Sequence, residues 1–406
     1  MEECFYRLYS SLPQVPFAQK VARIDLDALQ SNYRALLGHV RKSAPNVRAI
    51  AVVKADAYGH GAPDCVRALL GEGCDFFAVS SVEEAVAVRE ACDGANKDAE
   101  ILILGYTDPR HACLLDRYRL TQTLVSFAHA CALQNSAREA GVRLRTHVAL
   151  DTGMGRIGFA ARSEEEIRGT AREILSLFAY PNLSVDGMFT HFARADEESE
   201  AGVRFTKEQS ENYLAVRRLV EDGGKRIPFY HASNSAASIK GVAAGLDGVR
   251  FGIVMYGASP SLHGELPLLP VMTLETRIVH IHQLKKGETV GYGGTFCAPS
   301  DMTVGVLPIG YADGFVRAYS PAPVCVRTAT GVFSAPILGR VCMDQCMIDL
   351  SSSDACVGDT VILFGKDGPL AEALARQAGT IDYETLCLIS SRVPRFYRGG
   401  SYDRRL

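Results

Sequence analysis

Lys54 closes the apolar run Arg48-Ala-Ile-Ala-Val-Val and is followed by Ala-Asp-Ala-Tyr58-Gly59-His60-Gly61, a stretch of small and turn-forming residues. An unbroken run of Ile, Val and Ala fits a parallel strand covered on both faces, and the two glycines fit a loop passing close to a ligand. A lysine at the mouth of an apolar site loses hydration, its pKa falls, and the neutral amine can attack an aldehyde to form a Schiff base. The competing reading is a lysine that snorkels from a strand end and does no chemistry. Polar residues at the ends of the other apolar runs decide between the two.

Those ends carry Asp151-Thr-Gly-Met-Gly-Arg156, Thr190-His191, His231-Ala-Ser-Asn234-Ser235 and Arg250-Phe-Gly252-Ile253. Taken singly, His191 and His231 read as satisfied core histidines and Arg156 as a surface arginine. Converging on one mouth, they read as a site. Backbone N–H groups at Ser235, where a helix begins, and at Gly252-Ile253 stand beside a serine hydroxyl, which suits a phosphate dianion. A lysine for an aldehyde and a cradle for a phosphate together imply pyridoxal 5′-phosphate.

The elements that must position these groups follow from periodicity. Eight apolar runs end near Lys54, Ser81, Tyr106, Phe127, Asp151, Phe192, Asn234 and Ile253. Segments with helical spacing, such as Val82 to Cys92, His129 to Ala140 and Glu164 to Leu177, separate most of them. Strand and helix in alternation predict right-handed βαβ units, and eight units over about 230 residues predict a closed (β/α)8 barrel of the α/β class. Such barrels place their working groups at the carboxyl ends of the strands and bind phosphate after the last two. A helix with Leu29, Tyr33, Leu36, Leu37 and Val40 on one face precedes the first strand, with Asp27 as its expected cap. After Gly257 the segments become short, β-branched and divided by Gly, Pro and Asp turns, as in a mostly β C-terminal domain. Leu370 to Gln377 reads as a short helix stopped by Gly379, and Arg392 to Tyr397 as a closing strand. The expected division is an extension over 1–20, a barrel over 21–264 and the β domain over 265–406.

Composition narrows the partners. An apolar content of 47%, a charged content of 22% and a net charge of -3 give no electrostatic footprint for nucleic acid or an anionic membrane. No apolar run reaches membrane-helix length and the amino terminus lacks a secretion signal, so a cytoplasmic protein with a small-molecule substrate is expected. Twelve scattered cysteines, without C-x-x-C pairs, fit reduced core thiols. Neither the Cys342/Cys346 pair nor the His280/His282 pair has further ligands nearby in sequence, so no metal is expected.

AVVKADAYGHG, DTGMGRIG, THFARAD, HASNSAA, VRFGIVMYG, VGYGGTF, IGYADG and GRVCMDQ follow one another in this order. With these motifs the chain, from about residue 20 to its end, resembles the alanine racemases, pyridoxal-phosphate enzymes of the barrel type. The resemblance implies that Lys54 is both the Schiff-base lysine and one proton-transfer base. Tyr292, on a loop of the β domain, would be the second base, reaching the opposite cofactor face in the partner chain of a head-to-tail homodimer. Racemisation needs a base on each face, since one face loses the proton and the other gains it. Without the resemblance, Tyr292 beside Gly293-Gly294 reads as a turn tyrosine.

By the same resemblance Arg250 would donate to the pyridine nitrogen and leave it unprotonated, with His191 bonded behind it. Tyr58, Ser235, Gly252 and Ile253 would surround the phosphate, and Asn234 would also bind the cofactor. Arg156 and the backbone of Met343 would hold the substrate carboxylate beside Asp344, and Asp196, Tyr311 and Arg340 would line the entrance. The implied product is D-alanine for cell-wall peptidoglycan. Two positions depart from the family pattern. Ala149 stands where many members have a lysine that orients the arginine, and Ser391 where many have a tyrosine bounding the substrate methyl pocket. The smaller Ser391 suggests an alanine/serine racemase as the alternative. A barrel-type decarboxylase and a pyridoxal-phosphate carrier protein are weaker alternatives, because the β domain and Tyr292 fit neither.

Overall fold

The computed structural model describes residues 18–242 and 246–399. The first strand, β1 (Lys20–Asp25), is followed by the helix Leu26–Arg41. The side chain of Asp25, not Asp27, caps that helix by accepting from the Ala28 N–H at 3.0 Å. Either aspartate satisfies the capping pattern, and the extended backbone at 25 selects the first.

Eight parallel strands then close on themselves: β2 (Arg48–Val52), β3 (Phe76–Val79), β4 (Glu100–Ile103), β5 (Thr121–Leu124), β6 (Leu144–Asp151), β8 (Leu183–Thr190), β9 (Phe229–His231) and β10 (Gly248–Phe251). The pairing of β10 with β2 and of β5 with β6 completes the (β/α)8 barrel, and the two-residue strand β7 (Phe159–Ala160) is added beside β6. All eight predicted strand ends are barrel strand ends. Helices Val82–Gly94, Phe127–Ala140, Glu164–Leu177 and Glu200–Asp222 each begin behind a serine whose hydroxyl accepts a backbone N–H of the first turn.

The barrel interior is packed. At its amino-terminal end Arg48 pairs with Asp75 and Glu100, and Arg145 with Glu100 and Asp186, at 2.7 to 3.1 Å. Above this ionic layer Phe76, His147 and Phe229 pack together, with ring centroids 5.6 to 6.2 Å apart. Gly187 lets His147 lie inward, because a Cβ there would stand 2.4 Å from the imidazole. The packed interior leaves the main cavity at the carboxyl ends of the strands.

The second domain is a nine-stranded sheet. Its order is His280–Leu284, Met302–Leu307, Cys346–Asp349, Val332–Leu338, Pro323–Arg327, Thr360–Phe364, Met272–Arg277, β1 and Arg395–Arg398. The expected barrel start at residue 21 therefore falls inside a strand of this sheet, where β1 pairs antiparallel with Met272–Arg277 and parallel with Arg395–Arg398. The closing strand is Arg395–Arg398 instead of 392–397, and the predicted helix with its Gly379 stop is Ala371–Ala378. Residues 1–17 of the expected extension lie outside the described residues. Among the described residues no helix is long and apolar enough to cross a membrane.

Candidate active site

Lys54 stands at the carboxyl end of β2, in a cavity of about 920 Å³ at the barrel mouth. The chain does not leave the strand as an ordinary loop. Ala55, Asp56, Ala57 and Tyr58 all have φ between 51° and 55°, one turn of left-handed helix built without glycine. For L-residues this conformation costs on the order of 1–2 kcal/mol each, so surrounding bonds must impose it. The Ala55 N–H donates to Glu84 Oε1 at 2.7 Å and the Ala62 N–H to Asp56 Oδ1 at 2.7 Å. The His60 ring Nδ1 lies 2.9 and 3.0 Å from the carbonyls of Ala57 and Tyr58, and Arg395 Nε donates to the Gly59 carbonyl at 3.1 Å. The turn brings Lys54 and Tyr58 to the same cavity. Burial, then the charges of Arg156 and Arg250, push the Lys54 pKa down against Glu84 and Cys387, as a nucleophilic amine requires.

Tyr58, Ser235, Gly252 and Ile253 converge at one side of this cavity. The Gly252 N–H donates to Ser235 Oγ at 3.0 Å, and a Cβ on Gly252 would lie 2.9 Å from the Tyr58 hydroxyl. Only a residue without a side chain leaves this cradle open. Asn234, also lining the cavity, caps the following turn by accepting from the Ala237 N–H and donates to the Phe192 carbonyl, so it braces the cradle. A phosphate oxygen fits between hydroxyls and backbone donors of this kind.

Arg250, which also lines the cavity, is almost fully buried. Its Nη2 donates to the carbonyls of Thr190 and Ala232 at 2.8 and 2.9 Å and to His191 Nδ1 at 3.2 Å; its Nη1 donates to His231 Nδ1 at 2.9 Å. A guanidinium has no acceptor, so both histidines carry their proton on Nε2, and His231 donates onward to His147 Nδ1 at 3.1 Å. Burial and the adjacent cation hold His191 down at about 3 and His231 well below its usual value; burial holds His147 at about 3. The network therefore presents one cation backed by neutral rings. Burial lowers Arg250 itself to about 10, which leaves it charged at neutral pH.

Arg156 is exposed and lines the same cavity as Ala149 and Asp196. Its loop is fixed by the Asp151 carboxylate, which accepts from the N–H groups of Gly153 and Gly155 at 3.0 and 2.9 Å.

The remaining predicted residues lie elsewhere. Tyr292, Tyr311, Arg340, Met343 and Asp344 cluster on the second domain and do not line the cavity. The Arg340 guanidinium lies against Gly293, 3.1 Å from where a Cβ would be, while the N–H groups of Tyr311 and Ala312 donate to the carbonyls of Cys342 and Met343. Arg392 bonds Asp344 at 2.7 Å and approaches the fully buried Asp313 at 3.4 Å. Tyr292 is 71% exposed.

Sequence reasoning missed Glu84, Tyr383 and Arg395. Tyr383 lines the cavity from the second domain, its ring 6.0 Å from that of Tyr58. The sequence signal for Glu84 was present in Ser81-Val-Glu-Glu84, a capping-box pattern.

The N-terminal domain model of alanine racemase matches residues 24–260 and the C-terminal domain model residues 271–397. The chain belongs to the alanine racemase family. Alanine racemase of Clostridium tetani is 40% identical over 384 residues, 93% of this chain and 94% of that protein. The structure of alanine racemase from Streptomyces coelicolor superposes with a TM-score of 0.84 at 35% identity, covering 93% of this chain and 98% of that one. Alanine racemase from Bacillus anthracis with bound L-Ala-P gives a TM-score of 0.82 at 30% identity over 95% and 96% of the two chains. The two matched segments coincide with the barrel and with the second sheet from its strand Met272–Arg277 onward.

Proposed function

We propose that the protein interconverts L- and D-alanine on pyridoxal 5′-phosphate, with Lys54 and Tyr292 of the partner subunit as the two bases. Family membership supports the reaction, and the cradle at Gly252 supports the cofactor. When bound, the cofactor withdraws electrons from the substrate Cα and so acidifies its proton. Lys54 would hold the cofactor through its amine, Tyr58, Ser235, Gly252 and Ile253 its phosphate, and Arg250 its ring nitrogen. Because Arg250 stays charged and its neighbours are neutral, it donates to that nitrogen and cannot supply a proton cheaply. Such a donor would leave the nitrogen unprotonated, which would favour return of the proton to Cα over side reactions. Arg156 orients the substrate carboxylate.

The observation that carries the reading is the division of the site. Lys54 is alone at the cavity as a proton-transfer base of the expected pair, while Tyr292 stands exposed on its own domain beside a Gly293 that packs against Arg340. A head-to-tail homodimer would seat this cluster over the neighbouring barrel mouth, with Met343 and Asp344 at the substrate and Tyr311, Arg340 and Asp196 at the entrance. A cytoplasmic setting is part of this reading, supported by the eleven free cysteines among the described residues. The D-alanine would serve peptidoglycan synthesis. The test is loss of optical rotation in L-alanine without release of carbon dioxide. Carbon dioxide release would replace the racemase with a decarboxylase.

A further inference from the structure

Glu84 is the third residue of the helix Val82–Gly94, and its N–H donates to the capping Ser81 hydroxyl at 3.4 Å. A serine followed three residues later by glutamate is the sequence of a capping box, whose carboxylate returns to the main chain at the helix start. Glu84 Oε2 does so, accepting the Ser80 N–H at 2.7 Å. Its Oε1 instead leaves the helix and accepts the Ala55 N–H at 2.7 Å, the peptide directly after Lys54.

Glu166 provides the comparison. It stands in the same place behind Ser163 in Glu164–Leu177, and its Oε2 accepts the Arg162 N–H at 2.8 Å. Its other oxygen returns to the Arg162 guanidinium at 3.3 Å and fastens nothing beyond its own helix start. The two caps share a motif; Glu84 uses the second oxygen to join the ends of β2 and β3.

The peptide it grips opens the left-handed turn of Ala55 to Tyr58. A carboxylate only accepts, so its bond to an N–H is charge-assisted and stronger than a neutral one. We propose that Glu84 is a positioning residue of the active site, locking the left-handed turn so that Lys54 and Tyr58 meet the two ends of the cofactor together. The inference rests on the cofactor assigned above. Against the burial that lowers it, the charges of Glu84 and Cys387 raise the Lys54 pKa while those of Arg156 and Arg250 lower it further, with His191 also in the field of the amine. The two arginines favour the neutral amine and Glu84 opposes them.

The experiment titrates pyridoxal 5′-phosphate into cofactor-stripped full-length protein and follows the absorbance of the lysine-bound cofactor, a readout independent of turnover. Glu84→Gln should weaken the affinity about tenfold, the loss of one charge-assisted hydrogen bond. It should also move the pH midpoint of cofactor capture downward, because removing a negative neighbour lowers the lysine pKa. Glu84→Asp keeps the charge and loses the reach, so affinity falls while the midpoint stays; it carries the affinity test if Glu84→Gln does not fold. Glu166→Gln should lower Tm and leave affinity and midpoint at wild-type values. If the Glu84 variants lose only thermal stability, as Glu166→Gln does, the proposal is overturned. A wild type that takes up no cofactor overturns the cofactor assignment as well; a wild type that does, with unchanged Glu84 variants, overturns this inference alone.

Discussion

The barrel mouth and the ridge of the second domain around Tyr292 are built on opposite principles. At the mouth, four residues are forced into left-handed backbone by Glu84, Asp56, His60 and Arg395, so that Lys54 has one position. Around Tyr292 the chain turns through Gly291, Gly293 and Gly294, all at positive φ where glycine fits without strain, and the ring is exposed. One base is fixed within a single chain by costly local geometry. The other proposed base is presented on a relaxed turn and would acquire its position only against a neighbour. On the proposed reading, a half-site of the first kind would bind cofactor alone and a half-site of the second kind would do nothing alone.

That contrast predicts that the two bases fail differently. Lys54→Ala should abolish both turnover and the absorbance of lysine-bound cofactor. Tyr292→Phe should keep that absorbance and lose turnover by roughly 10² to 10⁴-fold, the range of a missing acid–base group. Because each site would borrow Tyr292 from the other chain, mixing the two inactive variants and letting subunits exchange should restore about a quarter of wild-type activity, since half the dimers are mixed and each holds one intact site. No recovery in a mixture shown to exchange would refute the shared site. Dilution is a milder form of the same break: turnover should vanish as the dimer dissociates while the absorbance persists.

The parts of this division that were legible in the sequence share a physical reason. Strands covered on both faces are mostly apolar runs, so most of the barrel strands and the polar residues ending them could be read directly, although β5, Thr121–Leu124, is mostly polar. Lys54, His191, Ser235 and Arg250 were placed by that logic alone. The left-handed turn was not legible, because Ala, Asp and Ala carry no backbone signature as glycine would; it is imposed by residues distant in sequence, Arg395 among them. Pairing of Lys20–Asp25 with Met272–Arg277 was hidden for a similar reason, since the six-residue strand is complete only with a partner far along the chain. Tyr292 was a turn tyrosine until its motif was recognised, because its chemistry would belong to an assembly and no single chain displays it.

The buried histidines make the barrel half the acid-sensitive one. His60 is held at about 4 and His147 and His191 at about 3 by burial, so between these values and pH 6.5 the unfolded chain binds protons that the folded chain does not. Stability therefore falls as pH falls below about 6.5, by up to about 1.4 kcal/mol per pH unit for each such histidine. Tm should drop markedly from pH 7 to pH 5, and amide exchange should show barrel strands losing protection before the second sheet. Equal Tm at the two pH values would contradict the neutral imidazoles of His147 and His231 behind the Arg250 cation. A smaller change should follow from Gly252→Ala, whose Cβ would press on the Tyr58 hydroxyl; cofactor affinity should weaken about tenfold with the fold intact.

The smallest expected effect concerns Ser391, which is exposed at the end of the loop that Ser390 ties to the entrance by donating to the Ala312 carbonyl at 3.1 Å. Its neighbour Arg392 bonds Asp344, and Ser391 itself does not line the barrel-mouth cavity, so any contact with the substrate side chain would have to come through the proposed dimer. A serine leaves more volume there than the tyrosine the family resemblance suggested, and a pocket that accepts an added hydroxymethyl discriminates weakly against it, by about tenfold to a hundredfold. The wild type should therefore racemise L-serine at a measurable fraction of its rate with L-alanine, and Ser391→Tyr should lower that fraction by about tenfold. The ratio of kcat/KM for the two substrates is the measurement. A ratio unchanged by the tyrosine would mean that the substrate side chain is bounded by residues of the partner's ridge, and specificity would then belong to the relaxed half of the site.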